Sequence, residues 1–402
     1  MPLPSHNASI RLTLFAGFCS QLLCLGIARF AYTPLLALMQ DEGLEAHWGG
    51  ILASINYLGY VAGALIAIQL SDWAHKWRCY RGGLILAVLS TLGMALTDDL
   101  LLWSLWRFIA GLSAAASMLL ASGLIMQHLR QHGRKPELGL HFAGLGLGIA
   151  LVALSSQWMS LYALSSTSQW SIFSLLALIL LVPAWLGLTK VQVSHVASTE
   201  HAAPPLPRSF YPLFLLMYFC AGYGYVVSIT FLVAMANNAP SLQSIGHWSF
   251  LLLGLAAAPS AVWWDLMARR WGFLASLRMA ALFNGIAIVM PVFIPGSVAF
   301  LTSALLFGGS FIGCVSLVLT IAGRLMPAKP ARLMAILTLC YGSAQIIAPT
   351  ISAFLARATG SYASSLLVAG LMMVFAVVLL SWLIALFDAA HWLRRQQKSE
   401  SV

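Results

Sequence analysis

The chain has 402 residues, of which 60% are hydrophobic and only 8% are charged. Its formal net charge is +10 and its mean hydropathy is +0.89. Soluble proteins carry about 25% charged residues, so this composition excludes an ordinary soluble domain. The positive charge does not indicate a nucleic-acid partner, because the basic residues lie in short stretches between apolar segments.

Two long stretches of the chain contain no Asp, Glu, Lys or Arg. One runs from Gly139 to Thr189 and the other from Ser209 to Trp264. About 20 apolar helical residues span the hydrocarbon core of a bilayer, so each stretch is long enough to cross the membrane twice. We therefore expect an all-α membrane protein whose partner is the lipid bilayer.

Apolar segments divide the chain into twelve predicted transmembrane helices. The third and fourth are separated only by Asp98 and Asp99, and the ninth and tenth by a turn at residues 294–296. The segments fall at residues 13–38, 47–70, 82–97, 100–126, 138–160, 168–188, 211–235, 246–264, 273–294, 297–321, 333–356 and 362–386.

The positions of Lys and Arg predict the topology. With the N-terminus in the cytoplasm, all but four of the 21 Lys and Arg lie in cytoplasmic segments. The exceptions are Arg357 in an outer loop and Arg29, Arg107 and Arg278 within spans. We predict a multi-pass protein of a bacterial-type plasma membrane with both termini cytoplasmic.

A polar, proline-rich segment at residues 190–211 divides six spans from six. We predict an N-terminal half at residues 1–189, a cytoplasmic linker at 190–211 and a C-terminal half with a short cytoplasmic tail at 212–402. The first span aligns without gaps to the seventh, with Tyr225 opposite Arg29, which indicates a duplication.

Several motifs resemble those of the major facilitator superfamily. Residues 107–115 match its fourth-span pattern, Arg-x-x-x-Gly-x-small-Ala-Ala. The loop motif of the superfamily is degenerate here, since Ile68 replaces a glycine and Trp73 replaces an arginine. In the fifth span, Leu145 replaces the proline of the antiporter motif. Residues 26–36, 141–148 and 341–345 are similar to the YbfB/YjiJ branch. The resemblance covers essentially the whole chain and implies the twelve-helix major facilitator fold and transport.

Arg29 and Arg107 are the main candidates for substrate binding. Counted along their spans, both lie about 10–15 Å below the outer surface, and in this fold both would face the central cavity. Because all eleven acidic residues lie at or beyond span ends, an anionic ligand would supply the missing counter-charge. The alternatives are that Arg107 braces the first span through its carbonyl groups and that Arg29 extends to the outer surface.

Other polar side chains in the spans could complete a binding site or carry a proton. Tyr32, Tyr225, Tyr341 and Gln345 are candidate ligand contacts, although each could instead bond a neighbouring helix. His141 is a possible proton carrier, because imidazole titrates near neutrality, and its alternative role is helix packing.

Two acid–base pairs near the cytoplasmic ends of the spans are candidate gates. Asp72 with Lys76, and Asp265 with Arg269, have the spacing at which helical side chains meet. We expect both carboxylates at helix C-termini, where the dipole disfavours them and the basic partner offsets the cost.

The chain shows no catalytic, metal-binding or cofactor-binding motif, so we expect no enzyme activity, metal or cofactor. The predicted function is secondary transport of a small, anionic organic solute by a monomer using alternating access. The alternatives are efflux of lipophilic compounds and a membrane sensor or scaffold that does not transport.

Overall fold

The computed structural model describes residues 6–133, 138–188, 209–237, 242, 245–325 and 330–400. This part of the chain is helical and contains no strand. Its α-helices are α1 (His6–Gln21), α2 (Tyr32–Asp41), α3 (Ala46–Gln69), α4 (Trp73–Ala95), α5 (Leu100–Ala115), α6 (Ser122–Gln131), α7 (Gly139–Leu161), α8 (Ser166–Gly187), α9 (Phe210–Asn237), α10 (Gly246–Trp271), α11 (Phe273–Phe293), α12 (Ser297–Leu325), α13 (Pro330–Thr359) and α14 (Ala363–Glu400).

These helices form twelve consecutive spans, as the sequence predicts. The first span is α1 and α2 with a π-helix, Leu22–Ile27, between them, and the fourth is α5 and α6 around a second π-helix, Ala116–Ala121. Within the described residues, eleven spans are long and apolar enough to cross a membrane. The other, α4, is more polar because its first turns carry Lys76, Arg78 and Arg81.

The two short connections predicted from the sequence end their helices as expected. Asp99 caps α5, and its Oδ1 accepts hydrogen bonds from the backbone N–H groups of Leu101 and Leu102, each at 2.9 Å. Gly296 joins α11 to α12 with φ of 111°, a left-handed conformation that glycine adopts without strain.

Four peripheral helices expose apolar faces that would be unfavourable in water. The exposed side chains are Ile85, Leu89 and Leu92 on α4, Leu175, Leu178, Ile179 and Val182 on α8, Leu282, Phe283 and Ile286 on α11, and Leu371, Val374, Phe375 and Val378 on α14. Large contiguous apolar patches of this kind are suited to lipid contact. The third, sixth, ninth and twelfth spans therefore form the lipid-facing sides of the bundle.

The first, fourth, seventh and tenth spans form the interior. Among the eleven spans that meet the length and hydropathy criteria, these four have the largest buried share. The sequence predicts that the same four line a central cavity, and their burial agrees with that arrangement.

Three pairs of helices contribute most of the contact between α1–α8, the N-terminal half, and α9–α14, the C-terminal half: α7 packs on α10, α3 packs on α13, and α2 packs to a smaller extent on α9. At the first crossing, a Cβ on Gly254 would lie 2.5 Å from the backbone nitrogen of Ala150 and 2.8 Å from the carbonyl oxygen of Gly146. Glycine there lets the two backbones approach closely. The predicted linker, 190–211, lies largely outside the described residues, so its boundaries remain a prediction.

The two ends of the bundle are called here the terminal face, where α1 begins, and the opposite face, where α2 ends. Near the opposite face, hydrogen bonds connect the two halves. The Thr33 hydroxyl donates to the carbonyl of Ile229 at 3.0 Å, and the hydroxyls of Ser54 and Thr350 lie 2.8 Å apart. The halves are therefore held together on the opposite-face side.

Candidate functional site

Arg29 lies at a break in the first span. After the π-helix, the N–H groups of Ala28 and Phe30 donate to carbonyl groups five residues earlier, and regular α-helix resumes only at Tyr32. Irregular backbone at membrane depth is tolerated where protein buries it or where it lines a cavity. This distortion thus places Arg29 on a widened helical turn inside the bundle.

Tyrosine rings hold the guanidinium group of Arg29. Its Cζ lies 4.4 Å from the ring centre of Tyr57 and 5.0 Å from that of Tyr60, both on α3. Arg29 is 6% exposed, yet its Nε and Nη2 have no hydrogen-bond partner among the described residues. The side chain does not extend to the surface, so that alternative is not what the structure shows.

Arg107 braces the first span, which is one of the two interpretations of its sequence position. Its Nη1 donates to the carbonyl oxygen of Ala28 at 3.3 Å, and its Cζ lies 4.2 Å from the ring centre of Tyr32. The side-chain amide of Asn56 donates to the backbone carbonyl of Arg107 at 2.8 Å. Arg107 thus stabilises the turn that carries Arg29.

The larger of two central cavities extends from Arg29 toward the terminal face. Its solvent-accessible volume is about 40 Å³. Its lining is Leu25, Arg29, Tyr60, Met118, Leu119, Leu145, Tyr218, Tyr225, Phe311, Ile312, Val315, Leu319, Thr338, Tyr341 and Gln345. Among the described residues of this lining, Arg29 is the only charged one, and none is acidic.

A smaller cavity, with a solvent-accessible volume of about 10 Å³, lies on the other side of Arg29, toward the opposite face. Its lining includes Tyr32, Tyr57 and Arg107 and also the cross-half pair Thr33 and Ile229. Arg29 lines both cavities and therefore lies between them.

Four aromatic side chains of the C-terminal half, here called the ring row, line the larger cavity. In order they are Tyr218, Tyr341, Tyr225 and Phe311. Neighbouring ring centres are 4.4, 5.8 and 5.2 Å apart, and the ring planes differ by 26–31°. Three helices contribute to the row: α9, α13 and α12. Tyr218 and Tyr341 are stacked, and the other neighbours in the row are tilted against each other at aromatic-contact distances. All four line the cavity that Arg29 also lines.

All six predicted substrate-binding residues line one of the two cavities. Arg29, Tyr225, Tyr341 and Gln345 line the larger one, and Arg29, Tyr32 and Arg107 line the smaller one. The Tyr32 hydroxyl is already used, because it donates to the carbonyl of Gly49 at 2.9 Å. Gln345 retains a buried Oε1 that has no hydrogen-bond partner among the described residues. Substrate contact by these residues stays a prediction.

His141 lies inside the N-terminal half, outside the described lining of both cavities. Its Nε2 is 2.7 Å from the amide nitrogen of Gln21 and 3.0 Å from the hydroxyl of Ser122, so it joins α1, α6 and α7. These contacts agree with the helix-packing alternative. Proton carriage by His141 stays an untested prediction.

The arrangement around Asp72 differs from the predicted gate. Asp72 is the N-cap of α4 rather than the end of α3, because Leu70 and Ser71 break the helix before it. Its carboxylate accepts from the backbone N–H of His75 at 3.2 Å and lies 2.8 Å from His75 Nδ1. Hydrogen bonding to the His75 side chain lowers the pKa of Asp72, and the helix dipole favours this position.

Lys76 does not form the predicted ion pair with Asp72. Its Nζ instead lies 4.4 Å from the ring centre of Trp73, one helical turn back on the same surface. Asp72 begins α4 and does not end α3, so its carboxylate contacts His75 in the first turn of α4 and not Lys76.

The second predicted pair is present. Arg269 donates through Nη2 to the carboxylate of Asp265 at 2.7 Å and through Nε at 3.0 Å, within α10. Both side chains are well exposed, and the pair lies along one helix. It is thus a local contact near the end of α10, and a gating role for it remains a prediction.

Sequence reasoning did not identify Tyr60, Tyr218 or Phe311 as site residues. Tyr60 follows Tyr57 by three residues, and Tyr218 precedes Tyr225 by seven, which in each case places both rings on one helix face. That periodicity could have indicated the first two. Phe311 carries no such signal, because its position beside Tyr225 depends on how α12 packs against α9.

A model of a protein family described as "Uncharacterised MFS-type transporter YbfB" matches residues 21–381, nearly the whole chain. The chain belongs to this major facilitator family. It is therefore a member of a family of transporters rather than of enzymes, and a multi-pass protein of the bacterial inner-membrane type, as the resemblance implied.

Relatives and solved structures agree with this assignment. An uncharacterized MFS-type transporter of Yersinia pestis (strain Pestoides F) is 26% identical over 349 residues, which cover 82% of this chain and 85% of the relative. A shorter match of 100 residues at 29% identity, covering 25% of this chain and 20% of the relative, is to the MFS-type transporter hepF of Aspergillus oryzae.

The crystal structure of a point mutant of the nucleoside transporter NupG is similar in fold. It has a TM-score of 0.69 and 15% identity, and the similarity covers 94% of this chain and 100% of that one. The structure of NupG itself has a TM-score of 0.67 at the same identity and covers 94% of this chain and 99% of that one. Identity this low supports the shared fold and does not extend to the substrate.

Proposed function

We propose that this transporter moves a small organic anion across the plasma membrane by alternating access, with Arg29 binding the anionic group. One observation carries the proposal. Arg29 is buried between two cavities, and its Nε and Nη2 have no hydrogen-bond partner among the described residues.

The chemistry of this arrangement favours a carboxylate or a similar anion. A buried guanidinium group is costly unless a partner compensates for its lost hydration. Tyr57 and Tyr60 offer their ring faces, which stabilise the cation but do not neutralise it. The Nε–Nη2 edge matches the two oxygens of a carboxylate, so such a ligand would supply both the charge and the hydrogen bonds.

The cavities support a mechanism in which one site is exposed in turn to each side. The larger cavity extends toward the terminal face, and hydrogen bonds join the halves near the opposite face. With both termini in the cytoplasm, as the charge distribution predicts, this is an inward-facing arrangement. Separation of the Ser54–Thr350 and Thr33–Ile229 contacts would then accompany opening to the outside.

Efflux of lipophilic compounds is a second candidate, and the lining of the larger cavity is the observation that favours it. Leu145, Ile312, Val315 and Leu319 contribute apolar surface there. A lipophilic substrate would bury that surface but leave the unpartnered nitrogens of Arg29 unsatisfied, which is why the anion is preferred. Family membership favours transport over the sensor or scaffold alternative.

The proposal is tested by measuring the uptake of radiolabelled carboxylates, their amides and a lipophilic cation into proteoliposomes that contain the protein. We expect carboxylates to be transported and their amides to be poor substrates. Arg29→Lys, which keeps the charge but loses the planar edge, should reduce uptake, and Arg29→Gln should reduce it further.

Arg278→Gln is the matched control, because it removes an arginine from α11 away from both cavities and should leave uptake unchanged. Transport of the amides or the lipophilic cation in preference to the acids would contradict the proposal. So would full uptake of a carboxylate by folded Arg29→Gln.

A further inference from the structure

The walls of the larger cavity differ in chemistry between the two halves of the protein. The N-terminal half contributes Arg29, whose guanidinium packs on Tyr60. The C-terminal half contributes the ring row, Tyr218, Tyr341, Tyr225 and Phe311. A ligand that contacts both walls would need an anionic group at one end and a surface suited to aromatic faces at the other.

We infer that the transported anion carries an aromatic ring, which stacks against the ring row while its carboxylate binds Arg29. This inference rests on the proposed function, since it names the class of solute for the same site.

The geometry of the ring row is the first argument for an aromatic solute. Adjacent planes in the row differ by no more than 31°, and Phe307 continues the same orientation, with its plane 11° from that of Tyr225. Neighbouring rings of the row are tilted by 26–31° with centres 4.4–5.8 Å apart, within the range of favourable aromatic contacts. A planar solute ring that enters the cavity can make contacts of the same kind with these rings.

Burial and exposure of the row are the second argument. Tyr218, Tyr225, Tyr341 and Phe311 are between 2% and 8% exposed, so water has little access to their faces. All four nevertheless line the empty space of the cavity. A flat ring that enters this space buries its surface against these poorly hydrated side chains and also makes aromatic contacts with them. An aliphatic group of equal size would bury the same area but make no aromatic contact.

The polar lining is the third argument, because it adds a specific acceptor near the rings. Gln345 lies one helical turn beyond Tyr341 on α13, and its buried Oε1 has no hydrogen-bond partner among the described residues. A hydroxyl or N–H group on the solute ring would satisfy it. An aromatic acid that bears such a donor should therefore bind more tightly than the same acid without it.

Binding across the two halves also fits the requirements of alternating access. The carboxylate would contact the N-terminal half and the ring the C-terminal half, so the solute would touch both moving bodies at once. A ligand that contacts both can favour one relative position of the halves through its differential interaction with them.

Calorimetric titration of the purified protein with matched probes tests the inference. Benzoate and indole-3-acetate carry ring and charge, cyclohexanecarboxylate keeps the charge of benzoate without its π face, and benzamide keeps the ring without the charge. We expect benzoate to bind about three- to tenfold more tightly than cyclohexanecarboxylate. Benzamide should bind much more weakly than benzoate.

Variants of Tyr225 separate stacking from other roles of the side chain. Tyr225→Phe should retain the preference for benzoate over cyclohexanecarboxylate, and Tyr225→Leu should reduce that ratio to about one while the saturated acid still binds. Tyr162→Leu, on an exposed loop at the opposite face, is the matched control and should change nothing. Loss of the preference in Tyr225→Phe would overturn stacking in favour of a hydroxyl contact.

The outcomes distinguish this inference from the proposed function. Equal, Arg29-dependent binding of benzoate and cyclohexanecarboxylate would overturn the aromatic solute and leave an anion transporter. Equal binding of benzamide and benzoate, both sensitive to Tyr225→Leu, would overturn the anion and leave a ring-binding site. Absence of binding by both aromatic acids to the folded protein would overturn the inference.

Discussion

Arg107 donates a hydrogen bond to the carbonyl oxygen of Ala28, 3.3 Å away and one residue before Arg29. The two arginines that line the smaller cavity therefore have different surroundings. Arg107 is held by the protein through this backbone bond and its position over the ring of Tyr32, and only its Nε lacks a hydrogen-bond partner among the described residues. Arg29 keeps two nitrogens without a partner among the described residues, in contact with the cavities.

This difference predicts opposite effects of the two arginines on stability. Arg107→Leu removes the partner of the Ala28 carbonyl and opens space below the Tyr32 ring, so it should destabilise the protein by about 1–3 kcal/mol. Unfolding by denaturant in detergent micelles measures this, with Arg29→Gln as the comparison. Equal destabilisation by both variants would contradict the assignment of Arg107 as the bracing residue.

Arg29→Gln, the second variant in that comparison, should leave the stability of the unliganded protein unchanged or increase it. The substitution Arg29→Gln eliminates a buried charge that the protein itself does not neutralise, a pattern typical of functional residues. We expect an unchanged or higher melting temperature together with loss of the stabilisation that a bound carboxylate gives the parent protein. A marked fall in melting temperature without ligand would indicate that Arg29 is structural.

The closeness of Arg29 and Arg107, which line one cavity, could be predicted from the sequence, because helical rise and the span boundaries place both at a similar height. The π-helix before Arg29 could not, since it depends on tertiary packing: a Cβ on Gly26 would lie 2.7 Å from Cα of Gly148 on α7. The ring row was hidden for the same reason, because three separate helices bring it together.

The error at Asp72 has a local cause. The predicted second span, 47–70, ends close to the observed end of α3 at Gln69, but the third span is predicted only from residue 82, whereas α4 begins at Trp73. The polar residues 72–81 hide this early start, because their composition is that of a loop. Once this start is known, Asp72 is an ordinary capping residue at the start of α4.

Capping by Asp72 predicts a different mutational pattern from gating. Asn caps helices as well as Asp does, so Asp72→Asn should leave the first turns of α4 intact, and Asp72→Ala should disrupt them. Hydrogen–deuterium exchange at the His75 amide reads this directly, with faster exchange expected only in Asp72→Ala. A changed ratio of conformers in Asp72→Asn, measured by distances across the terminal face, would instead restore the charge-based gate.

The pH dependence of the same cap follows from the lowered pKa of Asp72. A carboxylate whose folded-state pKa is depressed stabilises the fold above its ordinary pKa of about 4 and loses this effect as the pH falls through the lower value. Protection of the His75 amide should therefore be constant from pH 7 to about 5 and should decline only below about 4. Loss of protection already between about pH 6 and about pH 7 would contradict an origin in the Asp72 carboxylate.

The predicted topology is testable at exposed positions on the two faces. In a background without the six native cysteines, Ser71→Cys lies at the terminal face and Tyr162→Cys at the opposite face. With cytoplasmic termini, a membrane-impermeant maleimide added to intact cells should label position 162 and reach position 71 only after permeabilisation. Labelling in the reverse order would invert the orientation.

The contact between Ser54 and Thr350 predicts a cross-link that should arrest transport. Their hydroxyl oxygens lie 2.8 Å apart between α3 and α13, so cysteines at both positions would be close enough to form a disulfide. The double variant should lose uptake on oxidation and regain it with a reducing agent, because the bond would hold the halves together near the opposite face. Each single cysteine variant is the control and should transport equally well under oxidising and reducing conditions. Full transport by the oxidised, cross-linked protein would show that this contact does not need to separate during the cycle. It would rule out a mechanism in which the opposite face opens between α3 and α13.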